Sequence, residues 1–541
     1  MTSIGAEFRF KRNARIGEAA AEQDDEFLFQ SFHDIGDYGE LRNTRSPRRI
    51  IVGRTGSGKT ALLRNLVHSE QNVIEIEPEN LSLGFISNND VLRHFEHLGV
   101  KLDIFYGLLW RHVLAVELLK KKYHLASEEK TRNWMRSVLD NFQTKDQAKA
   151  RAITYLRDWG DKFWIETEYR IKELTTKLAS ELSGEFSNLH FGKLGARAEV
   201  SEEQKRDIIH RGQAIINKVQ VKELSEVVRF LNEDVFTDAQ QPYFIVIDKL
   251  DENWVEDGLR YKLIRALIDT VRSFQRIQNV KVVVALRQDL LRKVFAETAD
   301  PGFQEEKFEP LMLKLRWSKK QLEDLLDRRV AVLVQQPYTT NSIRFRKLFP
   351  DKIGRVPFID YFVQRTALRP RDAILFVNDC LARSEAQGSV KQHSIYEAER
   401  EYSRLRKDSL IYEWGQIYPS LSYSIGILER TTPEFRISSL NKDAVDRVIE
   451  ELASERGGSS DVCTRAATTY MNAVSASKNA VLAELFRVFF DVGLIGLKLD
   501  GSTGMVWSHD STPPTAGQIK PNTKVQLHPM FYQALSTHFE D

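Results

Sequence analysis

Residues Gly53-Arg54-Thr55-Gly56-Ser57-Gly58-Lys59-Thr60 stand between the apolar run Ile50-Ile51-Val52 and the helix-forming segment Ala61-Leu62-Leu63-Arg64-Asn65-Leu66. Strand, glycine loop, Lys-Thr and helix is the order that a nucleotide phosphate chain requires. The glycines let backbone N–H groups approach phosphate oxygens without Cβ clashes. A helix starting at this point adds a field that favours anions. Lys59 is expected to reach the β- and γ-phosphates, and the Thr60 hydroxyl to ligate Mg²⁺. The whole stretch from Gly53 to Ala61 is therefore read as a binding loop for a nucleoside triphosphate.

Working outward, the second strand is Val73-Ile74-Glu75-Ile76, stopped by Pro78. In a compact α/β domain the next strand should follow within about thirty to forty residues. The next convincing strand is instead Tyr243-Phe244-Ile245-Val246-Ile247. The interval of about residues 85–235 is read as a helical insertion. Trp110, Val113, Leu114 and Leu118 recur at helical spacing, as do Ile171, Leu174, Leu178 and Leu182, then Ile215, Ile216 and Val219, and then Leu224, Val227, Val228 and Leu231. Such stripes fit ordinary helix packing, and an association arm is the alternative. The core resumes through a helix near 258–278, the strand Val280 to Leu286 and another strand near Leu311 to Leu315.

Binding alone needs only the loop, whereas hydrolysis needs a metal-holding carboxylate and a group that orients water. Asp248 ends the apolar strand Ile245-Val246-Ile247, the expected place for a Mg²⁺-binding aspartate beside Thr60. The reading sets this strand next to the phosphate-loop strand, because parallel strands bring their C-terminal ends to one edge. Asp251 and Glu252 follow, and either can act as general base or cap the next helix. Arg287 follows the strand Val282 to Leu286, where a guanidinium senses a γ-phosphate or pairs with Asp289. In Arg369-Pro370-Arg371-Asp372 a proline at a helix start leaves two arginines for an anion, with capping by Asp372 as the alternative.

The 541 residues carry a net charge of +2, with 42% apolar and 28% charged residues. These values point to several globular domains and give no global signal for nucleic acid. Cys380 and Cys463 form no metal spacing, and no apolar run reaches the roughly 18 residues of a membrane span. The basic start Phe8-Arg9-Phe10-Lys11-Arg12 lacks an apolar signal core, so a cytoplasmic protein with no membrane partner is expected. At their spacing His94 and His97 could share a helix face, but no further ligand set accompanies them. Near the other end, Gly-Gly-Ser-Ser at 457–460 reads as a joint. A helix from Lys478 to Val492, strands near 497–499 and 505–507, and a last strand from Lys524 to Leu527 outline a winged helix.

The strand-end series Asp248-Lys249-Leu250-Asp251-Glu252, with Arg287 in Ala-Leu-Arg, resembles STAND-type and origin-recognition-type AAA+ ATPases, and a group of bacterial P-loop ATPases in particular. Shared elements are Ala21-Glu22-Gln23-Asp24, Ile51 to Leu63, Phe244 to Glu252, Leu286-Arg287-Gln288-Asp289, Arg369-Pro370-Arg371-Asp372 and Leu527-His528-Pro529. The resemblance spans nearly all of the chain except the insertion. It implies an α/β P-loop NTPase core with a parallel sheet, a large helical insertion, a helical lid carrying Arg369 or Arg371 as a sensor, and a C-terminal winged-helix-like domain. The expected divisions are a lead-in at 1–47, the core at 48–317, the lid at 318–400 and the C-terminal part at 401–541. The resemblance also implies ATP and Mg²⁺ as ligands, a switch rather than a motor, and a setting in bacterial defence against phage. One departure is Lys249, where these ATPases carry Glu, and it predicts slow hydrolysis. Arg292, Arg328 and Arg329 are candidates for an arginine supplied in trans.

Three functions compete. The first is an oligomeric ATP-hydrolysing switch. A DNA-binding module regulated by ATP is the second, although the segment Val481 to Leu494 is apolar with a single Arg487. The third is a scaffold in which the helical insertion holds an effector protein.

Overall fold

The computed structural model describes residues 9–80, 102–124, 151–152, 154–156, 223–299, 304–335, 343–415, 417–454, 461–472, 477–501, 504–508 and 514–539. The chain divides into two compact units, residues 34–316 and residues 1–33 with 317–541.

The first unit is built on five strands: β1 (Ile50–Gly53), β2 (Val73–Ile76), β3 (Tyr243–Ile247), β4 (Val280–Arg287) and β5 (Met312–Lys314). Their order is β2-β3-β4-β1-β5, and every neighbouring pair is parallel. All five residues of β3 and the first seven of β4 are buried. Successive strand residues face opposite sides, so burial along the whole strand means that both faces of the sheet are covered. This explains why Tyr243 to Ile247 is an unbroken apolar run rather than an alternating one.

The strand order corrects one sequence expectation. β3, which leads to Asp248, does not lie beside β1, because β4 stands between them. Strands pack about 4.8 Å apart, so roughly 10 Å separate the two backbones. Contact between the segment after β1 and Asp248 therefore comes from side chains.

The helix Asp103–Lys122 packs against the helix Asp257–Phe274 within this unit. Trp110 is fully buried, and its indole N–H donates to the Leu263 carbonyl at 2.9 Å. Val113, Leu114 and Leu118 are buried with it, so this stripe belongs to the packing of the unit itself. Val227, Val228 and Leu231 are buried likewise, in the helix Glu223–Phe230 and the turn after it. The stripes at Ile171–Leu182 and Ile215–Val219, the pair His94 and His97, and the joint at 457–460 lie outside the described residues.

At the opening end of β4, Lys281 is fully buried and donates to the carbonyls of Glu40 (2.6 Å) and Asn43 (2.8 Å). Those carbonyls lie at the end of the helix Asp37–Arg42, where a cation complements the helix dipole. Arg49 is also buried and donates to Thr44 and Val280 carbonyls at 2.9 and 3.2 Å. Together the two side chains fasten residues 37–49 to the sheet.

The lead-in is divided between the units, and residues 9–33 belong to the second one. There Arg329 donates to Asp24 at 2.5 Å and to the Ile16 carbonyl at 2.9 Å, with both side chains buried. Gly17 has φ +98°, and a Cβ there would fall 2.4 Å from Asp24 Oδ1. The helices Lys319–Gln335, Phe358–Thr366, Pro370–Ala382 and Gln392–Trp414 follow, with a small hairpin of β6 (Lys352–Ile353) and β7 (Val356–Pro357) among them. The C-terminal part joins the helices Lys442–Ser454, Val462–Asn472 and Lys478–Asp491 to β8 (Glu434–Arg436), β9 (Ile495–Lys498) and β10 (Lys524–Leu527). Their order is β8-β10-β9, and both pairings are antiparallel. Eight of the fourteen residues of Lys478–Asp491 are buried, and Arg487 donates to Glu484 at 2.7 Å. Among the described residues no helix is long and apolar enough to cross a membrane.

Candidate functional site

The loop after β1 turns on two glycines in the left-handed region, Gly56 at φ +77° and Gly58 at φ +94°. A side chain at either position would be strained. Gly53 is needed for space, since a Cβ there would fall 2.3 Å from Ser57 Oγ. Gly58 is the N-cap of the helix Lys59–Ser69, whose Leu62 N–H donates to the Gly58 carbonyl. The amides of Lys59, Thr60 and Ala61 precede that bond, in the turn where helical N–H groups have no intrahelical partner. Arg54, Thr55, Lys59, Thr60 and Ala61 are all half-buried.

The Thr60 hydroxyl donates to Asp248 Oδ2 at 2.9 Å, across 188 positions of sequence. The second carboxylate oxygen accepts the Lys249 N–H at 2.9 Å. Burial raises the Asp248 pKa. The Lys249 N–H, the Thr60 hydroxyl and the Lys59 ammonium oppose that shift, and Asp251 adds to it. A hydroxyl and a carboxylate are hard oxygen donors, the type that Mg²⁺ takes. A carboxylate whose charge is penalised by burial is also one that a cation would stabilise. Thr60 and Asp248 therefore fit Mg²⁺.

Lys59 Nζ donates to the carbonyls of Gly53 and Arg54, both at 3.2 Å. Burial lowers its pKa, while Asp251 and then Asp248 pull it upward. Arg287 bonds Asp289 through two nitrogens, at 3.1 and 2.6 Å, and reaches Asp251 at 3.5 Å. In register it pairs with Gly53, the last residue of β1. Glu252 is exposed, and its pKa is raised by burial, with Lys249 lowering it and Glu79, Asp251 and Asp248 adding to the rise.

Lys59, Thr60, Asp248, Asp251 and Arg287 thus stand together at the C-terminal ends of β1, β3 and β4. Glu77, at the end of β2, escaped the sequence reading, and its Oε1 lies 3.0 Å from Lys249 Nζ. The signal was available: it is an acid directly after a strand, as Asp248 is. Arg369 and Arg371 belong to the second unit, at the start of the helix Pro370–Ala382. Asp372 makes no cap hydrogen bond to that helix; it is fully buried, with Arg369 and Arg406 nitrogens 3.7 and 3.2 Å from its carboxylate. Arg371 is half-buried. Of the candidates for an arginine in trans, Arg329 is consumed by the buried pair with Asp24, so it cannot reach a neighbouring chain. Arg328 donates to the Phe32 carbonyl, and Arg292 is half-buried. Among the described residues no group of three His, Cys, Asp or Glu could hold a metal ion on its own.

Residues 320–411 match the family model described as the FunZ-associated C-terminal helical domain, which is well under half of the chain. A search of curated proteins finds no match. Among solved structures, the chain is similar to the Walker-type ATPase of Pyrococcus abyssi at 11% identity, over 96% of this chain and 98% of that one, with a TM-score of 0.35. It is similar to the ORC2 protein of Aeropyrum pernix, solved as ADPNP-ADP complexes, at 9% identity over 97% and 96% of the two chains, with a TM-score of 0.34. Cdc6p from Pyrobaculum aerophilum gives 13% identity over 95% and 96%, with a TM-score of 0.27. At such identities and scores the function has to be read from the chain's own residues.

Proposed function

We propose that the unit of residues 34–316 binds and hydrolyses ATP with Mg²⁺, and that the chain acts as an oligomeric switch. The observation that supports this most is the contact between Thr60 and Asp248 at 2.9 Å, beside a glycine loop that opens a helix. It joins the two groups that hold a phosphate-bound cation in this class of site.

In this reading the amides of the loop and first helical turn cradle the phosphates. Lys59 exchanges the carbonyls of Gly53 and Arg54 for phosphate oxygens. Thr60 and Asp248 would hold Mg²⁺, which neutralises charge on the β- and γ-phosphate oxygens. Asp251 is the favoured acceptor for the proton of the attacking water, because Arg287, in register with Gly53 of the loop strand, reaches it at 3.5 Å. Arg287 stabilises charge on the γ-phosphate during transfer, held in plane by its two bonds to Asp289. Lys249 in place of a glutamate supports slow turnover, which suits a switch. Arg371 and Arg369 are the lid residues proposed to respond to nucleotide. The setting in phage defence comes from the sequence resemblance alone.

Purified protein is expected to release phosphate from ATP and to change its mass in solution when ATP is added. Lys59→Ala should lose both. Turnover by Lys59→Ala equal to that of the natural chain rejects the ATPase, and a mass indifferent to ATP rejects the switch.

A further inference from the structure

We infer that Glu77 is a positioning residue for the metal-binding aspartate, acting through Lys249. The inference rests on the nucleotide reading of the site and deepens it. Lys249 has φ +59°, in the left-handed region that long side chains rarely occupy. In that conformation its N–H donates to Asp248 Oδ1 at 2.9 Å, while Thr60 donates to Oδ2 at 2.9 Å. Each carboxylate oxygen therefore has one donor, and the orientation of Asp248 depends on the backbone at 249. That backbone has an anchor on the next strand. Lys249 Nζ lies 3.0 Å from Glu77 Oε1, and Ile76 pairs in register with Ile247, so residues 77 and 249 leave the sheet at one edge. The pair ties a strained residue of the β3 loop to the end of β2.

This gives the lysine at the usual glutamate position a physical task. It cannot take a proton from water, but it holds its own backbone amide on the metal carboxylate. Both side chains are about half exposed, at 41% and 51%, so the effect should be modest and sensitive to salt.

The test is a Mg²⁺ titration of the full chain, reading the binding of a fluorescent ATP analogue. Glu77→Gln and Lys249→Met should each raise the Mg²⁺ needed for half-maximal binding by about two- to five-fold. Binding measured in EDTA should stay unchanged, which a general loosening of the fold would not allow. The reversed pair, Glu77→Lys with Lys249→Glu, should return most of the way to the natural value. Single variants with natural Mg²⁺ dependence, equal losses in EDTA, or a reversed pair no better than the singles would overturn the inference. If the natural chain binds no analogue with or without Mg²⁺, the nucleotide reading itself fails, and this inference with it.

Discussion

The two ends of β4 carry basic side chains to opposite purposes. At the opening end Lys281 is fully buried and spends its protons on two backbone carbonyls. At the far end Arg287, six residues on, is part exposed and bound to the carboxylates of Asp289 and Asp251. A fully buried basic group on main-chain carbonyls, with no open edge beside it, fastens structure. One held by carboxylates at an open edge can be drawn to a stronger anion, such as a phosphate. The sheet therefore has an anchored end and an exchangeable end, and strand polarity decides which is which.

The widest separation between the ends is expected from Asp251→Asn. With Asp251 as the proposed general base, its loss should lower ATP hydrolysis by about 100- to 10,000-fold. Stability in urea should change by less than about 1 kcal/mol, because the side chain is 39% exposed and its ion pair with Arg287 is long, at 3.5 Å. An unaltered rate would move the water-orienting task to Glu252.

At the anchored end the pattern should invert. Arg49→Met leaves the Thr44 and Val280 carbonyls without their donor, and should cost about 1–3 kcal/mol of stability. Hydrolysis measured well below the unfolding midpoint should stay within about two-fold. A large kinetic loss without a stability loss would erase the distinction between the ends.

The last effect concerns pH, and it is small over any single pH unit. Burial, and then the charge of Arg49, push the Lys281 pKa down from 10.5 to about 7. Between those values the unfolded chain holds a proton that the folded chain does not, so stability rises with pH from about 7 toward 10.5. It is complete above 10.5, declines steadily as pH falls from there, and is gone below about 7. The slope should be at most about 1.4 kcal/mol per pH unit. Lys281→Met should remove this component from urea melts taken at pH 7, 8.5 and 10. The same slope in the variant would show that Lys281 does not titrate there.

Much of the edge was legible from local order. A glycine loop that must turn left-handed, a helix behind it, and strands ending in Asp248 and Arg287 are all readable from neighbours in sequence. Less legible was the helix at Trp110, since an apolar stripe has the same spacing on a projecting arm as on a covered face. Only its bond to Leu263 and its burial settle which it is. Glu77 was missed for a related reason: its partner Lys249 is distant in sequence and near only through the pairing of β2 with β3.

Sequence by itself thus determined the local chemistry: where the backbone bends, which residues end strands, and which side chains can carry or meet charge. Tertiary structure alone decided the strand order that inserts β4 between β1 and β3, and the meeting of Thr60 with Asp248 despite it. It also decided that Arg329 is spent on Asp24 while Arg287 stays at an open edge. Backbone conformation answers to adjacent residues, whereas strand order and burial are set by how distant segments cover one another's apolar faces.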